Sequence, residues 1–317
     1  AVTIAITDKA LDSGTQATYS ASSAATELAT TEFNYMNSGG NSKNPLEVIN
    51  AHKAHGYGFT GNGQVVAVMD SGFFNSHDDL ASTTITATGD YVSGTGNSVG
   101  ADHGAIVTGI IAGNNNGSGI VGVAPSAALH ISDFNYWSPG IWDNLVDGAT
   151  NAGAVVQNNS WGFDQQYGAA GANVFVDYMN NYGLSGSQTL VAFQSIDTNS
   201  DGTYDIGVSN TPVSWTTSDW DGYISSLNNF QSNGGIVVFA LSNDDTKTDA
   251  DISAALPELF SDLQEAWIAV ANVDLPTGAT NHVLYSAPCG STAEYCMSAD
   301  GYDIVGLAAD GTGTDYY

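Results

Sequence analysis

The sequence predicts an α/β domain built on a mainly parallel central sheet with helices on both faces. Three observations carry that expectation. Short uncharged runs rich in Val, Ile and Ala recur at residues 65–69, 128–131, 154–156, 236–240 and 266–273, and such runs read as strands buried on both faces. Stretches with helical spacing of apolar residues alternate with them, the pattern of crossover connections. Several runs then end in polar groups at a turn, as in Asp70-Ser71-Gly72, Asn159-Ser160-Trp161-Gly162 and Ser242-Asn243-Asp244. Open α/β sheets carry their chemistry just past the carboxyl ends of their strands.

In chain order, residues 1–43 are polar and rich in Ser, Thr and Ala, and predict an N-terminal arm. Val2, Ile4 and Ile6 alternate there and permit one edge strand. Pro45 suits the first turn of a short helix carrying Leu46, Val48, Ile49 and His52. A loop over 56–63 feeds the strand at 65–69, which delivers Asp70. Small and β-branched residues over 103–113 predict a helix packed closely on the sheet, with His103 at its start. An apolar, turn-bounded loop over 120–125 precedes the strand at 128–131. Leu145, Val146 and Ala149 share one face of a helix over 142–152. The strand at 154–162 ends in a polar tip. Residues 163–220, rich in Asn, Asp, Gly, Tyr and Ser, read as an insertion. Tyr223, Ile224, Leu227 and Phe230 mark a helix over 221–233 that stops at Gly234-Gly235. A strand at 236–240 follows, then an apolar turn at 257–263 and a strand at 266–273. Residues 44–317 thus form one domain without internal repeats.

The 317 residues include 33 acidic side chains against four lysines and no arginine, a formal net charge of −29. Such a surface repels nucleic acid and anionic lipid, and it suits solubility in salt water or the holding of divalent cations. No run approaches the length of a membrane span. Cys289 and Cys296 enclose six residues with no further His or Cys at metal spacing, so a local disulfide is favoured over half a metal site. A disulfide points to an oxidising compartment. The start, Ala1-Val2-Thr3, reads as a mature product whose export signal has been removed.

Asp70, His103 and Asn243 supply complementary chemistry at strand and helix ends. A carboxylate orients an imidazole, the imidazole acts as general base, and an amide donor stabilises an oxyanion. Asp, then His, then a later Ser is one of the known orders of a catalytic triad. With these residues the chain resembles the subtilisin-like serine peptidases, the subtilase family. The likeness rests on Val66-Ala67-Val68-Met69-Asp70-Ser71-Gly72, on Asp102-His103-Gly104 through Gly113, on Gly119-Ile120-Val121-Gly122-Val123-Ala124-Pro125, on Asn159-Ser160-Trp161-Gly162, and on residues 236–243. Ala105 and Ile106 replace the family's usual Thr and second His, and Leu-Ser precedes Asn243 where Ala-Gly is usual. The stretch Leu256-Pro257-Glu258-Leu259-Phe260 and the Cys289–Cys296 loop look most like the subtilases found as autotransporter passengers of Gram-negative bacteria.

The resemblance implies a subtilisin-like fold and a secreted or cell-surface endopeptidase without a catalytic cofactor. It implies Asp70 and His103 as catalytic residues, Asn243 as oxyanion donor, and Asn159, Ser160, Trp161 and Gly162 as the strand that binds a polypeptide substrate. The family's nucleophile motif, Gly-Thr-Ser, does not occur in the chain. Ser286-Ala287-Pro288 mimics part of it but lacks the lead-in and is rejected as nucleophile. Residues 298–304 resemble the approach to the motif, so the Ser is expected within about ten residues beyond Tyr317, where it can reach His103. In this fold that Ser opens a buried central helix. Leaving its site open would expose apolar surface at about 25 cal/mol per Å2, a loss of several kcal/mol. A C-terminal segment or a partner chain is therefore expected to supply it. The alternative is a non-catalytic surface, filament or adhesin subunit that keeps the fold.

Asp197, Asn199, Asp201, Thr203 and Asp205 occupy positions 1, 3, 5, 7 and 9 of an EF-hand-like loop with Gly202 at position 6. Val208 stands where the closing Glu belongs. Either a structural Ca2+ clips the insertion or the residues form a surface turn. His52 and His55 could share a metal but read rather as a solvated helix end. His77, His130 and His282 read as structural. The acidic residues at 244–245 and 249–251 read as solvated loops. Tyr136 and Trp161 could shape peptide subsites or belong to the core.

Overall fold

The computed structural model describes residues 18–35, 44–89, 103–133, 141–162, 171–195, 207–208, 211–212, 215–274, 283–302 and 304–308. Four short helices come first: α1 Ala21–Leu28, α2 Thr31–Tyr35, α3 Pro45–Val48 and α4 Ala51–Gly56. Then follow β1 Val65–Asp70, β2 Ile85–Gly89, α5 His103–Ala112, β3 Ala128–Asp133, α6 Trp142–Asn151, β4 Val156–Asn159, α7 Ala172–Tyr182 and α8 Gly186–Phe193. After a two-residue pair, β5 Gly207–Val208 and β6 Thr211–Pro212, come α9 Thr217–Ser232, β7 Ile236–Ala240, α10 Leu256–Leu259, β8 Trp267–Asp274, β9 Val283–Leu284 and β10 Cys296–Asp300. The predicted parallel sheet is present. Its order is β10-β8-β7-β4-β1-β3-β2, every pairing along that path is parallel, and β9 joins β8 antiparallel.

Two cores flank the sheet. On one face α6, α7, α8 and α9 bury Trp142, Leu145, Phe175, Leu190, Trp220 and Tyr223 against Ala67, Met69, Val237, Phe239, Ala269 and Ala271. On the other, α5 and the N-terminal helices pack Phe33, Leu46, Ala112 and Leu307 against Val68, Leu129 and Ile131. The alternation along the strands sets these faces.

The second face is unevenly covered. The register aligns Val66, Val156 and Ile236, then Val238 with Ile268, and Val270 with Met297. These side chains point away from the first core. Val68 is fully buried beneath α5, Val156, Val238, Ile268 and Val270 are half-buried, and Met297 is 54 % exposed.

The structure adds detail to four expectations. The expected arm carries α1 and α2 within residues 18–35. Phe33 is buried in the second core, and Glu32 accepts the backbone N–H groups of Asn116 (2.8 Å) and Gly117 (3.1 Å). The alternating Val2–Ile6 pattern lies outside the described residues. Within the insertion, α7 and α8 add Phe175, Leu190 and Phe193 to the first core, and Trp215 lies there too. The strand expected over 154–162 is shortened to Val156–Asn159 because Trp161 turns into the core. Finally, β2 and β10 are additional strands that carry little apolar alternation and form the two ends of the sheet.

Candidate active site

β1 is the hinge of the topology. From β1 the chain fills one side of the sheet with β2 and β3, then crosses to β4 on the other side. A crevice at the carboxyl end of such a switch point is where open α/β sheets bind ligands. Asp70 is the last residue of β1 and is 2 % exposed.

Two close contacts bring α5 to Asp70. Gly104 N–H donates to Ser71 O (2.8 Å) and Ala105 N–H to Gly72 O (3.0 Å). Gly72 has φ +75°, left-handed backbone that a side chain would strain. A Cβ on Gly104 would lie 2.9 Å from the Phe73 ring and from Ser71 O, so only glycine lets the helix start this close. The result sets His103 Nδ1 2.9 Å from both Asp70 carboxylate oxygens. Ser71 N–H donates to Asp70 Oδ1 at 2.7 Å. Burial raises the Asp70 carboxyl above its ordinary range, and the His103 and Ser71 hydrogen bonds oppose that shift only in part. The His103 side chain is 53 % exposed while that of Asp70 is 3 % exposed. A buried carboxylate thus grips one nitrogen of an imidazole whose ring opens to solvent. This arrangement orients a general base and stabilises its protonated form.

The tip of β4 lies beside β1. Asn159 is buried and its amide donates to Val238 O (3.1 Å), tying β4 to β7. Ser160 accepts from the Asn158 amide (2.9 Å), and both it and Gly162 are half-buried. Trp161 is 7 % exposed, stacks edge-on with Trp142 and Phe239, and its indole N–H donates to Met69 O (2.9 Å). Its side chain fastens the peptide preceding Asp70 rather than standing open at a subsite. Asn243 follows β7, one strand beyond β4, with its side chain exposed at the same carboxyl edge. Two strand spacings, roughly 10 Å, separate the tips of β1 and β7.

Other expected residues distribute as follows. Cys289 and Cys296 form a disulfide. Asp197, Asn199, Asp201, Thr203, Asp205, Tyr136 and His282 lie outside the described residues. Among the described residues no group of three or more His, Cys, Asp or Glu is placed to hold a metal, and no helix is long and apolar enough to cross a membrane. Ser286 is fully buried and donates to Ala287 O (2.9 Å). His77 and His130 are buried, the latter bonded to Thr86 Oγ1 (2.8 Å).

Two readings are overturned. His52 and His55 are not a solvated helix end: His52 is 5 % exposed, and His55 pairs through Nδ1 with Glu27 and through Nε2 with Val123 O (2.9 Å). Asp249 and Asp251 are not solvated either, at 6 % and 0 % exposed. Asp249 accepts the N–H groups of Ser291 (2.7 Å) and Asn173 (2.9 Å) and so ties the disulfide loop to the start of α7. An Asp-x-Asp pair between a strand tip and an apolar run was the available signal for such anchoring.

Comparison with known proteins agrees with the geometry. The profile of the subtilase family, Peptidase_S8, matches residues 61–316. The extracellular serine protease of Serratia marcescens is 28 % identical over 282 residues, covering 84 % of this chain and 25 % of that protein. Subtilisin DY of Bacillus licheniformis is 32 % identical over 164 residues, 47 % of this chain and 58 % of the relative. The chain therefore spans about a quarter and rather more than half of these two proteins. The structure of fervidolysin from Fervidobacterium pennivorans superposes with a TM-score of 0.53 at 21 % identity, covering 88 % of this chain and 34 % of that one. That likeness concerns the fold.

Proposed function

The chain belongs to the subtilase family, and on that premise we propose that the full-length protein is an exported serine endopeptidase. The observation that carries the reading is the Asp70–His103 pair at the switch point, with His103 Nδ1 2.9 Å from both carboxylate oxygens. In this mechanism His103 takes the proton of a Ser hydroxyl, and the Ser oxygen attacks the scissile carbonyl carbon. Asp70 holds the ring and stabilises the imidazolium. Asn243 and the Ser backbone N–H donate to the tetrahedral oxyanion. His103 then returns the proton to the departing amine, and water hydrolyses the acyl-enzyme by the same steps. The polypeptide substrate adds as a strand beside residues 159–162. Subtilases need no catalytic cofactor.

The nucleophile is proposed to lie beyond Tyr317, on a segment of the same protein or of a partner. Two features support this. The half-buried face formed by Val156, Val238, Ile268 and Val270 is an apolar seat beside the site. Residues 304–308 run against α5, with Val305 and Leu307 buried there, so the chain heads toward the helix that carries His103. The autotransporter-passenger character and the Gram-negative source belong to the same proposal.

The test uses the full-length protein. It should take a fluorophosphonate label and cleave casein, and His103→Ala should abolish both. Asn243→Ala should lower kcat about 100- to 1,000-fold. Absence of labelling in the intact protein would instead favour a non-catalytic surface subunit.

A further inference from the structure

The residue just before Asn243 is held more tightly than a loop requires. Ser242 is fully buried. Its N–H donates to Asp251 Oδ2 at 2.6 Å, and its C=O accepts Ala287 N–H at 2.8 Å. Leu241 N–H donates to Val270 O (2.9 Å), and Asp244 N–H reaches Ser242 Oγ (3.3 Å). The backbone on both sides of Asn243 is thus fixed while its amide side chain is exposed.

Asp251 makes this possible. It is 0 % exposed, and its other oxygen accepts the N–H groups of Ser253 (3.1 Å) and Ala254 (3.2 Å). Ala255 N–H in turn donates to Asp251 O (3.1 Å). A carboxylate buried this deeply is costly unless its oxygens are satisfied. Three backbone donors satisfy it, and no acceptor-bearing neutral residue of its size offers two acceptor oxygens. The turn from 251 to 255 could be closed by one oxygen alone. The second oxygen is directed at Ser242.

We propose that Asp251 is a positioning residue for the reaction: its buried carboxylate fixes the Ser242 peptide and thereby aims the Asn243 amide at the position the oxyanion will occupy. This rests on the peptidase reading above. An oxyanion donor stabilises a transition state only when it is preorganised, and small misplacement is felt in the chemical step rather than in substrate binding. Asp251→Asn keeps the shape but turns one acceptor into an NH2 group facing a backbone N–H. The peptide at Ser242 or the turn at 253–254 must then shift.

A double-mutant cycle on the full-length protein tests this. Asp251→Asn is expected to lower kcat about 10- to 100-fold while KM stays within about twofold. In an Asn243→Ala background the same change should cost less than about twofold, because the group it positions is gone. Equal losses in both backgrounds would show general structural damage and overturn the proposal, as would an unchanged kcat in Asp251→Asn. If Asn243→Ala itself leaves kcat unchanged, the oxyanion role falls and this inference falls with it, an outcome distinct from the first two. Should Asp251→Asn not fold, Asp251→Glu, which keeps a carboxylate on a longer arm, is put through the same cycle with the same criteria.

Discussion

Gly109 and Leu307 offer a direct test of how the helix that begins at His103 is packed. Gly109 lies in the middle of α5, where Ala would ordinarily favour a helix by about 1 kcal/mol. A methyl there would overlap Leu307 Cγ and stand 2.8 Å from its Cδ1. Leu307 is fully buried and has no solvent to retreat into. Relief must come from moving residues 304–308 off the helix. Overpacking of this kind costs about 1–3 kcal/mol, which outweighs the propensity gain. Gly109→Ala should therefore destabilise by about 1 kcal/mol net. Leu307→Ala should cost about 2–5 kcal/mol by leaving a cavity. In the double variant the new methyl fills part of that cavity, and the propensity gain is released. It should be at least as stable as Leu307→Ala alone. Thermal and urea unfolding of the four proteins followed by circular dichroism measures this. One kcal/mol corresponds to about 2–4 °C for a domain of this size. A stabilising Gly109→Ala, or changes that add within about 0.5 kcal/mol, would refute the packing argument.

Two further outcomes follow from neighbouring contacts. Burial opposes the charged form of His55, but the Glu27 hydrogen bond, the Val123 carbonyl and the Glu27 charge outweigh it, so its pKa is raised. The stability it contributes is full below about pH 6.5, the unfolded value, and is lost as pH rises through the higher folded value. The stability difference between the protein and His55→Gln, measured by urea unfolding, should therefore shrink above neutral pH; a constant difference from pH 5 to 9 would count against it. Trp161→Phe removes a buried donor from Met69 O and some ring volume, and should cost about 2 kcal/mol, seen as a lower Tm; an unchanged Tm would mean the indole bond contributes nothing.

The sheet and the dyad were legible because their signals are local. A β-branched run ending in Asp, and a small-residue run starting with His, each report their own burial and position. Gly104 could be read as part of a small-residue helix, but the reason only glycine fits there, the Phe73 ring, lies elsewhere in the chain. The misreadings share that cause. Asp249 and Asp251 look like solvent-facing acids, yet their partners are backbone N–H groups at 173, 242, 253, 254 and 291, which no side-chain pattern announces. His55 looked exposed because Glu27 is 28 residues away. Trp161, left between subsite and core by its sequence neighbours, has its indole N–H bonded to Met69 O, 92 residues away, which no local pattern announces. Helices α7 and α8 were missed because the Asp- and Gln- or Asp- and Thr-bearing segments 163–170 and 196–206 surround them and diluted their apolar spacing.

The burial of Asp70 explains why the dyad is a property of β1 and α5 and not of the rest of the site. Taking a carboxylate out of water costs several kcal/mol. A charge-assisted hydrogen bond returns about 1.5–3 kcal/mol, and Asp70 accepts from Ser71 N–H and His103 Nδ1. Two such bonds offset most of the cost but not all, which agrees with a carboxyl pKa that stays raised. The remaining imbalance has a direction. Anything that places more positive charge on His103 relieves Asp70, so the pair is most favourable when the imidazole is protonated. In the proposed peptidase mechanism that is the state reached when a nucleophile hands over its proton. A protonated His103 therefore pairs the carboxylate better than a neutral one does. This differential stabilisation is what accelerates a chemical step. Because Ser71, Gly72 and Gly104 fix it locally, the dyad is already in place before any nucleophile approaches.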